Sequence, residues 1–347
     1  MSSGRSRGEE LRWCHDAVVD VSRTFAITVD QLEPPMSDRI CVGYLLCRIA
    51  DTVEDAGHIP SEEQVELLDH YRETLDGERS VESFRTAVDT WIPDEQTRSA
   101  DWDVVADVNR VFNAFDTLPK SSQQAIAEPA SELVSGMSMF VDRYSDTGGL
   151  RIKTVEELEE YCWYAAGTVG QLITNLLSED ASEQERKTMA NNAESFALLL
   201  QLVNIAKDVG DDYREENNVY LPAEWLDDVG IAQEEVSETQ NADAVGSVVQ
   251  RVVDRANGYL DDAQEYLMAM PDTQGNTLAA WAIPKLLAVG TIRELQKQPD
   301  QVVNGDVKVS RAEVYALIQR FESGVPREQI PDLRSTMERE PLHLAEH

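Results

Sequence analysis

Apolar residues recur at spacings of three and four along nearly the whole 347-residue chain, and alternating apolar–polar runs are scarce. That period stacks buried side chains on one stripe of a helix and gives a strand no single apolar face, so the chain reads as all-α. Breaks fall where Pro, Gly, Asn and Asp cluster, at 33–38, 56–60, 91–96, 145–150, 214–222, 270–276 and 298–306. None of these is long or low-complexity enough for an interdomain linker, and no short repeat is evident. The expectation is one helical domain over 1–347 with polar tails at about 1–10 and 335–347. A hydrophobic content of 42% is enough to give such a domain a substantial core.

Charge narrows the partners. Against 30 Lys and Arg stand 65 Asp and Glu, a net charge of −35 that repels phosphate backbones and anionic headgroups before contact forms, so nucleic acid is excluded as a partner. Acidic side chains are spread through almost every segment, a surface suited to concentrated salt and hence to a halophilic setting. Cys14, Cys41, Cys47 and Cys162 show no CxxC spacing and read as small core residues in a reducing cytosol, ahead of metal ligands or disulfides. The basic N-terminus is followed by no apolar h-region, and no apolar run is long enough to span a bilayer. A cytoplasmic protein is expected.

Two stretches carry chemistry. In YLLCRIADTVED, Tyr44, Arg48, Asp51 and Asp55 are spaced +4, +3 and +4, which puts all four on one helix face. Gly57 and Pro60 then end the helix, so both carboxylates meet the negative end of its macrodipole, and a cation is the natural compensation. In FALLLQLVNIAKDVGDD, Gln201, Asn204, Asp208 and Asp212 repeat the arrangement at +3, +4 and +4. A single DxxxD pair means little in so acidic a chain, but a second copy changes that. Amides inside an apolar run need hydrogen-bond partners and argue for a polar cavity. Facing carboxylate pairs suit Mg²⁺ shared with substrate phosphates, with Arg23, Arg48 and Lys207 as flanking cations and Phe25, Leu45, Leu199 and Leu202 as an apolar lining.

These two segments, with SRTFA (22–26), YCWYAAGTVG (161–170) and WAIPKLLAVGTI (281–292), resemble the squalene/phytoene synthase family, the head-to-head trans-isoprenyl diphosphate synthases. Within it the squalene synthase branch is the nearer likeness, over about residues 22–315. The resemblance implies an isoprenoid-synthase helical bundle around a central cavity. It also implies condensation of two farnesyl diphosphates to presqualene diphosphate and its reduction to squalene by NADPH, with Mg²⁺ or Mn²⁺ as the metal. By the same resemblance Asp51, Asp55, Asp208 and Asp212 hold metal, and Arg23, Thr24, Phe25, Arg48, Gln201, Asn204 and Lys207 contact substrate. Tyr44, Tyr164 and Arg48 act at the reacting centre, where aromatic faces stabilise a carbocation and a phenol can relay a proton. Product release implies peripheral membrane contact.

Two departures bear on this reading. Lys207 stands where the family usually has arginine, leaving a point charge in place of a bidentate fork. NNVYLP (217–222) looks more like phytoene synthase, which joins two geranylgeranyl diphosphates without a reductant and is the alternative reaction. Tyr164 also has a plain alternative, packing beside Trp163. A non-catalytic helical scaffold has no need of amides and aspartates on one apolar stripe, and a divalent-ion buffer is expected to carry DxDxDG loops, which the chain lacks.

Overall fold

The computed structural model describes residues 7–272, 275–305 and 307–345, apart from the side chains of Arg7, Arg23 and Thr24. Among these residues the chain is helical throughout, with no strand and two isolated bridges, Leu32 with Gly275 and Arg151 with Val219. The first half carries α1 (Arg7–Val21), α2 (Arg23–Asp30), α3 (Met36–Glu54), α4 (Ser61–Leu75), α5 (Val81–Val88), α6 (Ala100–Ala106), α7 (Val108–Asp116) and α8 (Lys120–Arg143). The second carries α9 (Val155–Cys162), α10 (Thr168–Leu177), α11 (Glu183–Glu216), α12 (Ala223–Asp227) and α13 (Ala242–Gly258). It closes with α14 (Leu260–Met268), α15 (Thr277–Lys297), α16 (Arg311–Glu322) and α17 (Ile330–Arg339).

The expected breaks lie at helix ends, and the start and stop chemistry is local. Ser22 caps α2 by accepting from the Phe25 N–H at 3.2 Å, and Ser182 with Glu185 forms a reciprocal capping box at the head of α11. Asn217, at φ 59°, takes the left-handed conformation that stops α11. At the end of α3, the buried Gln64 amide donates to the carbonyls of Val53 and Glu54 at 2.9 and 2.7 Å, so the last turn of that helix is held by α4.

Two helices organise the packing. α3 lies against α1, α4, α6, α7 and α8, while α11 lies against α9, α10, α13, α14 and α15. Leu45, Leu199 and Leu202 are fully buried, so they belong to this core and do not line a cavity as the sequence suggested. Each is packed on the dry side of the helix that also carries a polar stripe. All four cysteines are free and buried. No helix among the described residues is long and apolar enough to cross a membrane.

Both polar ends pack onto the domain over their described lengths. α1 begins at Arg7, and Glu10 is buried in an ion pair with Arg110 at 2.8 Å. At the other end, polar letters hide two apolar anchors, Met337 and Leu342, both buried. Beneath them Arg293 of α15 and Glu313 of α16 form a bidentate pair at 2.9 and 2.7 Å, 4% and 1% exposed. Arg293 also donates to the Met337 carbonyl at 2.8 Å, and Glu313 accepts from the Leu342 N–H at 3.0 Å. Arg293 Nε also pairs with Glu294 at 2.7 Å, so Glu313→Ala leaves the other two guanidinium nitrogens without their carboxylate and costs about 3 kcal/mol, whereas the paired change Arg293→Met with Glu313→Leu loses less. Denaturant unfolding of the three proteins checks this, and equal losses in the single and paired variants contradict it.

Candidate active site

The α3 stripe folds as its spacing requires. Asp55 is the C-cap residue, its N–H bonded to the Asp51 carbonyl, so the carboxylates do sit at the unfavourable end of the dipole. The compensating cation comes from the same helix. Arg48 is ion-paired to Asp51 one turn on, and its Nε donates to Asp101 of α6 at 2.8 Å. Tyr44, one turn back, lies face to face with Phe25 of α2, ring centroids 4.0 Å apart and planes 17° from parallel. Burial raises the Tyr44 phenol above its ordinary range, so it stays protonated at neutral pH.

On α11, Lys207 pairs with its neighbour Asp208, both half-buried. Gln201 is half-buried and Asn204 exposed, so these amides face open space on the stripe and not a dry core. Asp212 follows one turn after Asp208, and Glu216 one turn after that. Burial, then the charges of Glu216 and Asp208, raise the Asp212 carboxyl from 3.8 to about 8.

The two stripes meet at their C-terminal ends. Glu54 is 7% exposed, and neither of its carboxylate oxygens has a hydrogen-bond partner. Burial, then the charges of Asp51 and Glu216, push it well above the carboxylate range. Asp55 is raised in the same way by burial and by Asp51 and Glu216, and Glu216 by burial and Asp51. Asp51 is raised by burial, with Arg48 opposing and Asp101 adding. A cavity of about 330 Å³ opens here, bounded by Glu54, Asp55, Gln64, Glu216 and Asn218. Of the residues the sequence proposed for the site, Asp55 borders it, whereas Phe25, Tyr44, Arg48, Asp51, Tyr164, Gln201, Asn204, Lys207, Asp208 and Asp212 do not.

Tyr164 lies on the turn Trp163–Gly167 between α9 and α10, which has π-helical geometry and packs against α8 and α11. Arg23 and Thr24 belong to the first turn of α2, and their side chains lie outside the described residues. Three residues that the sequence reading passed over belong to the cluster: Glu54, Asp101 and Glu216. Glu216 had a legible signal, since Asn204, Asp208, Asp212 and Glu216 continue one +4 ladder. Glu54 lies three residues after Asp51, and Asp101 had no signal because its partner is distant in sequence.

Among the described residues, no three His, Cys, Asp or Glu side chains form a ready-made metal cage. The donor set nonetheless fits a hard divalent cation, which takes few carboxylates and keeps water or phosphate oxygens as its other ligands. The Glu54 oxygens have no partner and the carboxyls around them hold their protons tightly, a cluster whose ionised form only a cation would stabilise.

Fold and site together define an α-helical enzyme with paired carboxylate stripes. The family model for squalene/phytoene synthase matches residues 18–313. Squalene synthase 1 of Arabidopsis thaliana is 28% identical over 320 residues, 90% of this chain and 72% of that one. A squalene synthase of Nicotiana benthamiana is 29% identical, with 89% and 70% covered. Among solved structures, a ligand complex of TcSQS superposes with a TM-score of 0.76 at 23% identity, over 95% of this chain and 98% of that one. A dehydrosqualene synthase complex gives 0.61 at 21%, over 91% and 96%. The chain belongs to the squalene/phytoene synthase family and is a prenyltransferase.

The raised carboxyls set a pH dependence whose sign is fixed. A folded-state pKa near 8 against an ordinary 3.8 means the folded protein holds the Asp212 proton more tightly, so ionisation removes stability as pH rises across that window. In the metal-free protein, Asp212→Asn therefore raises Tm above pH 8 and loses its advantage near pH 4. Thermal melts in chelator across this range test it; a pH-independent difference contradicts it.

Proposed function

We propose that this prenyltransferase joins two farnesyl diphosphates head to head into presqualene diphosphate and reduces that intermediate to squalene with NADPH as co-substrate. The observation that carries the reading is the meeting of the α3 and α11 carboxylate stripes in one buried, mutually repelling cluster. Likeness to squalene synthases over nine-tenths of the chain supports the choice of C15 substrate and reductant.

In this reading Asp51, Asp55, Asp208 and Asp212 hold Mg²⁺ or Mn²⁺, which when bound supplies the positive charge that a departing pyrophosphate needs. Arg23, Arg48 and Lys207 bind diphosphate oxygens, with Thr24 and Phe25 beside them. Arg48 has its charge shared between Asp51 and Asp101, which aims the guanidinium along the polar stripe. Lys207 contributes a point charge alone. Gln201 and Asn204 orient substrate on the open stretch of α11. The stacked Phe25 and Tyr44 rings offer an aromatic face to the allylic cation, worth about 1–2 kcal/mol when water is excluded. Tyr164 orders the second prenyl chain at the reacting centre and relays the proton lost on cyclopropane closure to pyrophosphate. The product, insoluble in water, leaves by peripheral contact with a membrane.

Two measurements test this. Asp51→Asn or Asp208→Asn keeps shape and removes charge, so turnover falls by about 100-fold or more while folding survives; near-wild-type turnover at saturating Mg²⁺ contradicts the assignment. Product analysis with C15 and C20 diphosphates, in dilute buffer and in concentrated potassium chloride, tests the reaction itself. Squalene from the C15 substrate with NADPH, and presqualene diphosphate or water-quenched alcohols without it, are expected. A C40 product formed without reductant, with the C15 substrate untouched, points to the phytoene synthase reaction instead.

A further inference from the structure

Tyr164 is held by an arrangement that its own segment does not supply. The turn Trp163–Gly167 is wound wide, its closing bond running from the Thr168 N–H to the Trp163 carbonyl five residues back. Such a turn rotates its side chains away from the directions a regular α-helix would give, so something outside it must fix where they point. The Thr168 hydroxyl donates to the Tyr164 carbonyl at 2.7 Å, which ties down the backbone but not the ring.

The ring is fixed from α8. A Cβ built on Gly136 would fall 2.3 Å from Tyr164 Cβ, 2.1 Å from its Cγ and 2.4 Å from its Cδ1. These are atoms at the root of the side chain, which a rotamer change cannot clear, so the missing Cβ is the seat into which Tyr164 fits. One turn earlier on the same face of α8, a carboxylate oxygen of Glu132 accepts from Trp163 Nε1 at 3.1 Å. The Trp163 ring in turn lies over Gly167, where a Cβ would come within 2.5 Å of Cε3. Positions 132 and 136 thus grip two consecutive side chains of the wide turn, one by a hydrogen bond and one by an absence.

We propose that Gly136, with Glu132, is a positioning residue for the condensation: it acts through Tyr164, setting the direction of the phenol, and touches no substrate. The inference rests on the reading of Tyr164 given above. A shift of about 1 Å at a reacting group is enough to cost on the order of 100-fold in rate.

A double-variant cycle with two readouts decides it. Gly136→Ala is expected to lower Tm and to lower kcat by about 10- to 100-fold with KM held within about twofold. In a Tyr164→Gly background, where both the ring and the Cβ that Gly136 faces are gone, the same change should alter neither Tm nor the residual rate. Equal effects of Gly136→Ala in both backgrounds overturn the proposal, as does wild-type kcat in the folded single variant. Should Gly136→Ala not fold, Glu132→Leu reports on the same grip: kcat falls with KM unchanged, and Glu132→Gln, which keeps an acceptor for Trp163, retains more turnover than Glu132→Leu. Equal rates in those two variants count against it. Absence of farnesyl diphosphate turnover in the unaltered protein refutes the proposed reaction, while the Tm cycle still decides whether Gly136 seats Tyr164.

Discussion

Buried like charge, where α3 and α11 end side by side, is the constraint on which the rest of this structure depends. Burial, then the charges of Asp51 and Glu216, raise the proton affinity of Glu54 and Asp55, burial and Asp51 raise that of Glu216, and burial, then Glu216 and Asp208, raise that of Asp212. No folding advantage comes from gathering them there. The surrounding core has to offset the cost, and it does so through the helices that carry the charges. α3 and α11 each pack against several other helices, and the opposite side of each is buried in leucine and other apolar side chains.

That division of each helix into a dry stripe and a polar stripe explains the neighbouring features. Gln64 closes the end of α3, so its last carbonyls are satisfied without a cation. Asn218 accepts from the Leu150 N–H at 2.8 Å and Arg151 bonds to Asn217, which fastens the chain after α8 to the chain after α11 beside the acidic cavity. The ion pair of Arg48 with Asp51 and Asp101 reduces the net negative charge on one side of the cluster only. On the other, Glu54 keeps two oxygens without partners.

The all-α class, the helix breaks and the two stripes were legible in the sequence because they rest on local periodicity and on Pro and Gly punctuation, which act within one element. The same spacing put Arg48 beside Asp51, and it ran on to Glu216 for a reader who followed it one more turn. What was not legible depends on contacts between elements. Asp101 reaches Arg48 from a helix far along the chain, and Gly136 matters only because Tyr164 lies across from it. The apolar lining assigned to Leu45, Leu199 and Leu202 failed for a related reason: periodicity finds an apolar stripe but does not say whether it faces core or cavity. The C-terminal segment is polar by composition, and its Met337 and Leu342 are buried over an ion pair that only the fold brings beneath them.

The central claim is that this acidic cluster is built to receive a diphosphate together with a divalent cation. Thermal melting of the protein with Mg²⁺ alone, inorganic pyrophosphate alone, and both together tests it most directly, because a ligand set that binds only the folded state raises Tm by mass action. The account predicts a rise with both present that exceeds the sum of the separate rises, and its loss in Asp51→Asn. Pyrophosphate that stabilises equally with and without Mg²⁺, or a joint effect that survives in Asp51→Asn, would contradict it.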